Sequence, residues 1–352
     1  MRGHDHHRWP RPRAALPHSA LPHRHHRCHH RGDHRIVGHR LHPEPLYVHP
    51  VLASRDTDRG GWRSGLRRGY PDRKRMTQKT FLAGDGVELV YEDLGPAEGA
   101  PIVLCHGLAA AGVQFRADAD YFASRGYRVL VPDLRGHGHS GAPASMRDED
   151  FSITRMATDL IEMLDHAGLA AVHWVGNSLG GILALAILGI APERLKSLAT
   201  YGTAYTLALP SFLPHLLPLI YGALGPKLTA ELTARSTTSN SEAQRLIASV
   251  LRDFSPQAGK AVGANVRRYD LIANAKAYKG PILLMRGGLD HGVNRALPVT
   301  LEAMADHPDF HLRHLPKGGH VANLDVPDQF RATLEEFWRE VDARTEGESA
   351  PA

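Results

Sequence analysis

The stretch Ala171–Ile190 restricts the possible folds more than any other part of the chain. An apolar run, Ala171-Val172-His173-Trp174-Val175, leads through Gly176-Asn177-Ser178-Leu179-Gly180-Gly181 into a segment, Leu179–Ile190, that is apolar on nearly every side. A helix without a polar face must be covered all round, and the apolar strand feeding it belongs inside a sheet with both faces covered. Similar alternation runs from Met76 onward. Phe81–Leu82 and Val87–Glu92 flank a hairpin turn at Gly84-Asp85-Gly86, and further strands are predicted at Ile102–Cys105, Arg128–Val131, Leu195–Tyr201, Ile282–Met285 and Phe310–Leu315. Helical periodicity marks Ile153–Leu164, and helices are also predicted around Phe115–Arg125, Leu297–Ala305 and Asp328–Val341. Strands alternating with helices imply an α/β fold, a mostly parallel sheet with helices on both faces.

Charge divides the chain. Residues 1–75 hold 17 Lys/Arg against 6 Asp/Glu, so a formal total of +5 leaves the remainder at −6. The basic balance therefore belongs to the head, and a nucleic-acid partner is not expected of the acidic body. Of 24 histidines, 13 lie in residues 1–50, mixed with Arg and Pro and without hydrophobic periodicity. Such a composition buries too little apolar surface to offset ordering entropy, so residues 1–75 are expected to be disordered, with at most weak Zn or Ni binding at runs such as His25-His26 and His29-His30. Met76-Thr77-Gln78-Lys79, just ahead of the patterned sequence, fits an authentic start. The head lacks the apolar core of a secretory signal. Cys28 and Cys105 have no near partners, which gives no sign of a disulfide framework. The longest apolar excursion, Thr206–Gly225, is interrupted by Pro210, Pro214, Pro218 and His215, so no membrane span is predicted and a cytoplasmic location is expected.

The chemistry concentrates where strands end. Gly176-x-Ser178-x-Gly180 between strand and helix forms a sharp turn that exposes the serine hydroxyl above the sheet, with the helix's N-terminal amides aimed at the same spot. Serine attacks only when a base takes its proton. His320, in Lys317-Gly318-Gly319-His320 after the last strand, sits on a loop able to swing over that turn. His106, His137 and His139 lie in tight glycine-rich loops and read as local braces; His166, His173 and His291 lack a helpful context. The base needs a carboxylate to fix its tautomer. Asp290, in Arg286-Gly287-Gly288-Leu289-Asp290, follows the strand Ile282–Met285, whereas the loop after Leu195–Tyr201 offers no carboxylate; Asp325 is the alternative. The resulting order is Ser178, Asp290, His320.

These motifs together resemble the α/β-hydrolase superfamily over residues 80–342. His106-Gly107-Leu108 is similar to the family's oxyanion segment. Asp133-Leu134-Arg135-Gly136-His137-Gly138-His139-Ser140 is similar to its D-x-R-G-x-G-x-S loop, and Gly287-x-x-Asp290 and Gly319-His320 complete the triad pattern. The resemblance implies an eight-stranded sheet in the order 1-2-4-3-5-6-7-8, with the backbone amides of Leu108 and Leu179 as oxyanion donors. It also implies a helical cap at residues 204–278, inserted into a core of residues 76–203 and 279–345, with residues 346–352 an unstructured tail.

Phe212, Leu213, Leu216 and Leu217 are candidates for an apolar wall over the substrate pocket, and Thr237–Arg252 reads as a surface helix. Arg267-Arg268 fits a carboxylate grip less well than an exposed charged face. The expected activity is hydrolysis of a carboxylic ester, lactone or thioester with an apolar acyl group through an acyl-enzyme, requiring no cofactor and no metal. Gly-Asn-Ser-x-Gly-Gly also resembles carbon–carbon bond hydrolases of ring-cleavage products, although the Gly-rich oxyanion run is missing and Val321 stands where they carry tryptophan. Serine at position 178 departs from the aspartate of haloalkane dehalogenases and epoxide hydrolases. A slow small-molecule receptor of the same fold is the non-enzymatic alternative.

Overall fold

The computed structural model describes residues 77–209 and 213–349, with side chains described except at 213–221, 226 and 345–349. The expectations for residues 1–75 and for Phe212 fall outside the described residues, as do those for the side chains of Leu213, Leu216 and Leu217.

Ten strands form among the described residues. They are β1 (Thr77–Leu82), β2 (Glu88–Leu94), β3 (Pro101–Cys105), β4 (Arg128–Asp133), β5 (Val172–Asn177), β6 (Leu195–Tyr201), β7 (Thr206–Ala208), β8 (Arg268–Asp270), β9 (Ile282–Gly287) and β10 (Phe310–Leu315). The main sheet has eight strands in the order β1-β2-β4-β3-β5-β6-β9-β10, and β7 pairs with β8 in a separate ribbon. Skipping that ribbon, the order is the expected 1-2-4-3-5-6-7-8. β1–β2 and β2–β4 are antiparallel and the remaining pairs parallel. The ribbon was not predicted, because two three-residue runs so far apart carry no periodicity of their own.

Alternation along the strands divides the core into two layers. Val103, Cys105, Leu130 and Trp174 face one side, where they pack with the helices Ile153–His166 and Leu179–Ile190. Ile102, Leu104, Val129 and Val131 face the other, against Phe122 of Arg116–Ser124 and Phe330, Leu334 and Trp338 of Pro327–Ser349. Leu179–Ile190 is buried along almost its full length, as its unbroken apolarity requires. The last helix runs past Val341 into the stretch 346–352 expected to be unstructured; its sequence from Arg339 to Glu346 contains neither Gly nor Pro to stop it.

Between β6 and β9 lies the insertion, which holds the ribbon and the helices Leu213–Thr237, Ser241–Asp253, Pro256–Val266 and Ile272–Ala277. The first of these breaks at Gly225, whose φ of 74° favours glycine. Asn240 caps the second, its side-chain oxygen accepting from the amides of Glu242 (2.9 Å) and Ala243 (3.3 Å). Ala230, Ala234, Ala248 and Leu251 form a small core between these helices, and Ala109, from the loop after β3, packs against it. The insertion therefore sits directly on the loop expected to hold one oxyanion donor. No helix among the described residues is long and apolar enough to cross a membrane.

Candidate active site

Ser178 stands between β5 and the helix Leu179–Ile190 with φ 49° and ψ −111°, a conformation rare for any residue but glycine. The turn is possible because its flanks lack side chains. A Cβ at Gly176 would lie 2.5 Å from the amide nitrogen of Gly181, and one at Gly180 would lie 2.3 Å from the carbonyl oxygen of Cys105. The backbone is then fixed by bonds at both ends: Ser178 N–H donates to Tyr201 O (3.0 Å), while Ser178 O accepts from Gly181 N–H (3.0 Å) and the Thr203 hydroxyl (3.1 Å). Such strain is typical of sites where the surrounding structure over-determines one residue.

His320 and Asp290 come together from the loops after β10 and β9. Nδ1 of His320 lies 2.9 Å from Oδ2 of Asp290. The carboxylate is 8% exposed, and its other oxygen accepts from Val293 N–H at 3.3 Å. A carboxylate held on both oxygens fixes the ring orientation and, in the neutral ring, favours the tautomer with the proton on Nδ1 and the lone pair on Nε2. Asp325 is occupied elsewhere: Oδ2 accepts Gly319 N–H at 2.6 Å, and Oδ1 accepts the Thr238 hydroxyl.

Asn177 joins the two halves. Its side-chain nitrogen donates to His320 O (2.9 Å), and its oxygen accepts from Gln114 Nε2 (3.1 Å). On the third side, a Cβ at Gly107 would lie 3.2 Å from Cβ of Ser178, so the segment carrying Leu108 passes beside the serine. Ala109, next in line, has φ 58°.

The profile of the alpha/beta hydrolase fold family matches residues 100–258. The 2-hydroxy-6-oxononadienedioate/2-hydroxy-6-oxononatrienedioate hydrolase of Burkholderia vietnamiensis is 29% identical over 273 residues, covering 72% of this chain and 93% of that one. A thermophilic esterase from Thermogutta terrifontis superposes with a TM-score of 0.65 at 25% identity, over 76% of this chain and 99% of that one. The bifunctional epoxide hydrolase 2 of Sus scrofa is 28% identical over 143 residues, a match spanning 41% of this chain and only 25% of that protein. The chain has the α/β-hydrolase fold.

In this fold a mainly apolar cavity of about 110 Å³ opens beside His320, Asn177 and Leu108. One wall is the run Ala109-Ala110-Ala111; the opposite wall is Leu246, Ile247, Val250 and Leu251 of the helix Ser241–Asp253. The helix expected at Thr237–Arg252 forms over Ser241–Asp253 and has an exposed face, but it also lines this cavity. Its outer face is polar, but Leu246, Ile247, Val250 and Leu251 recur at a helical spacing that puts them on one inner stripe. That signal was in the sequence, masked by the average polarity of the segment. No Lys or Arg lines the cavity among the described residues. Arg268 is exposed.

The remaining histidines of the loops are braces. His106 is buried; Nε2 accepts Leu134 N–H (3.1 Å), so Nδ1 carries the proton and donates to Gly107 O (2.8 Å). Burial holds its pKa below the ordinary imidazole range. His137 is also buried, with Nδ1 2.9 Å from Arg135 O, and desolvation pulls its pKa down to about 3. His139 is exposed beside Asp133. The D-x-R-G-x-G-x-S loop is itself structural: Asp133 accepts the amides of Gly112 (2.7 Å) and His139 (2.8 Å), and Arg135 pairs with Asp159 at 2.5 Å. Cys105 is no rival nucleophile, since burial pushes its thiol pKa up. No cluster of three or more potential metal ligands occurs among the described residues.

Proposed function

We propose that this α/β-hydrolase is a serine hydrolase of neutral carboxylic esters, lactones or thioesters, working through an acyl-enzyme on Ser178. The observation that carries the reading is the 2.9 Å contact between His320 Nδ1 and buried Asp290, with His320 lining an apolar cavity beside Asn177, the residue before Ser178. Nε2 of His320 takes the Ser178 proton as Oγ attacks the carbonyl carbon, and the carbonyl electron pair moves onto oxygen. The amides of Leu108 and Leu179 hold that oxyanion; each such donor supports roughly 3–4 kcal/mol of the barrier reduction. The tetrahedral species collapses, the C–O or C–S bond breaks and His320 protonates the leaving group. Water, deprotonated by the same ring, then releases the acid and restores Ser178.

A second reading, carbon–carbon bond hydrolysis, is favoured by the similarity to the Burkholderia vietnamiensis enzyme and by Gly176-Asn177-Ser178. Substrates of the kind in that enzyme's name carry carboxylates, and a buried carboxylate needs a cation or several donors. The absence of Lys and Arg from the described cavity lining favours the neutral ester. The deciding experiment is a panel of p-nitrophenyl esters, lactones and ring-cleavage dienes with the wild type and Ser178→Ala. Multiple turnover on esters, lost in the variant together with fluorophosphonate labelling, supports the reading. Turnover on dienes alone supports the second, and a single slow turnover on every substrate points to a receptor.

A further inference from the structure

The loop that carries His320 is held from the core by Asn177 and Asp290 and also from the insertion. Thr237 O accepts His320 N–H at 3.3 Å, Asn240 Nδ2 donates to Leu324 O at 3.0 Å, and the Thr238 hydroxyl donates to Asp325 Oδ1. Asp325 closes the set, because its other oxygen takes Gly319 N–H, one residue before the histidine. Gly319 is fitted to this arrangement: a Cβ there would lie 2.8 Å from Asp325 Oδ2 and 3.0 Å from Thr237 O. Thr238 is 4% exposed, so the donor of this bond is buried. Thr237 also lines the cavity along with Leu246 and Ile247, which puts one short stretch in contact with both substrate space and the histidine loop.

We infer that Thr238 and Asp325 form a latch through which the seating of the insertion sets the position of His320. Both are positioning residues; neither faces the reacting atoms. The carboxylate bonds the insertion with one oxygen and the histidine loop with the other, so a shift of residues 237–240 is passed on to residue 320. A fully formed base then exists only when the insertion is seated over the cavity. The inference rests on the reading of His320 as the base.

The test is Thr238→Val, which keeps the volume and removes the donor, beside Thr238→Ser, which keeps the donor. With p-nitrophenyl butyrate, Thr238→Val is expected to lower kcat by about ten- to hundred-fold with KM nearly unchanged, whereas Thr238→Ser stays within about two-fold of wild type. In proton NMR the low-field Nδ1–H signal of His320, assigned by its loss in His320→Gln, is expected to broaden or vanish in Thr238→Val alone. Unchanged kcat and an unchanged proton signal in a folded Thr238→Val overturn the latch and leave the base assignment standing. Full activity of Ser178→Ala overturns the hydrolase reading instead, and the proton signal in Thr238→Val still decides the latch.

Discussion

The side-chain amide of Asn177 donates to the backbone carbonyl of His320 at 2.9 Å, so the residue before the strained serine is tied directly to the residue proposed as its base. The same side chain accepts from Gln114, whose Nε2 also lies 3.2 Å from Asn323 Oδ1. Asn323 Nδ2 in turn donates to Asp118, which pairs with Arg331 at 2.7 Å. A buried polar network thus runs behind the serine turn, where full satisfaction gives rigidity and any gap is costly.

Asn177→Ala should therefore lower both stability and turnover. Removing one partner from satisfied buried groups costs about 1–3 kcal/mol, and displacing the base relative to Ser178 costs about ten-fold or more in kcat. Urea midpoints and kcat for one ester check both; a variant with wild-type values in each would show that the Asn177 bonds are incidental.

The backbone of Ser178 predicts a difference in stability between two inactive variants. Ser178→Gly relieves a conformation with φ 49°, while Ser178→Ala keeps a Cβ and hence the strain. Strain of this kind costs on the order of 1–3 kcal/mol, offset in part by about 1 kcal/mol of glycine entropy. The glycine variant should thus unfold at higher denaturant than the alanine variant, with both inactive. Equal midpoints would mean the turn is unstrained.

Acid should destabilise the fold through its buried histidines. A histidine whose folded pKa is lowered binds a proton in the unfolded state first, so stability is unaffected above the unfolded pKa and falls as pH drops from there toward the folded value. For His137, at about 3, the loss at pH 5 relative to pH 7 is about 2 kcal/mol. Burial lowers His106 in the same direction. His137→Asn keeps a donor for Arg135 O but does not titrate, so its urea stability should fall less between pH 7 and pH 5 than that of the wild type. A parallel fall would assign the acid sensitivity to other groups.

Chain-length preference should follow the Ser241–Asp253 helix. Ile247→Ala enlarges the cavity near His320, and kcat/KM for hexanoyl relative to acetyl esters should rise by about ten-fold, the scale of a few methylenes in an apolar pocket. An unchanged ratio would place the acyl group elsewhere.

Much of this was legible in the sequence, for reasons that vary by element. β6, β10 and Leu179–Ile190 emerge with the expected boundaries, because Gly202, Pro316 and Pro192 close them. The Ser178 turn and the His320 and Asp290 loops were legible because glycines mark places where only a bare backbone fits. The place of the insertion was legible too, but its interior was not. Its β7–β8 ribbon pairs residues far apart in sequence, and its cavity wall hides in a helix that is polar on average. Asn177, Gln114 and Asn323 carry no spacing signal, since their bonds are made between loops that meet only in the folded chain.

The most direct test is to look for the acyl group itself. Wild type and Asp290→Asn would be mixed with a p-nitrophenyl ester, quenched in acid and digested, and the peptide containing Ser178 weighed. An added acyl mass on Ser178 is expected, accumulating in Asp290→Asn because its deacylation is slow. Turnover of the ester with no adduct on that peptide in either protein, or an adduct on a different side chain, would contradict it.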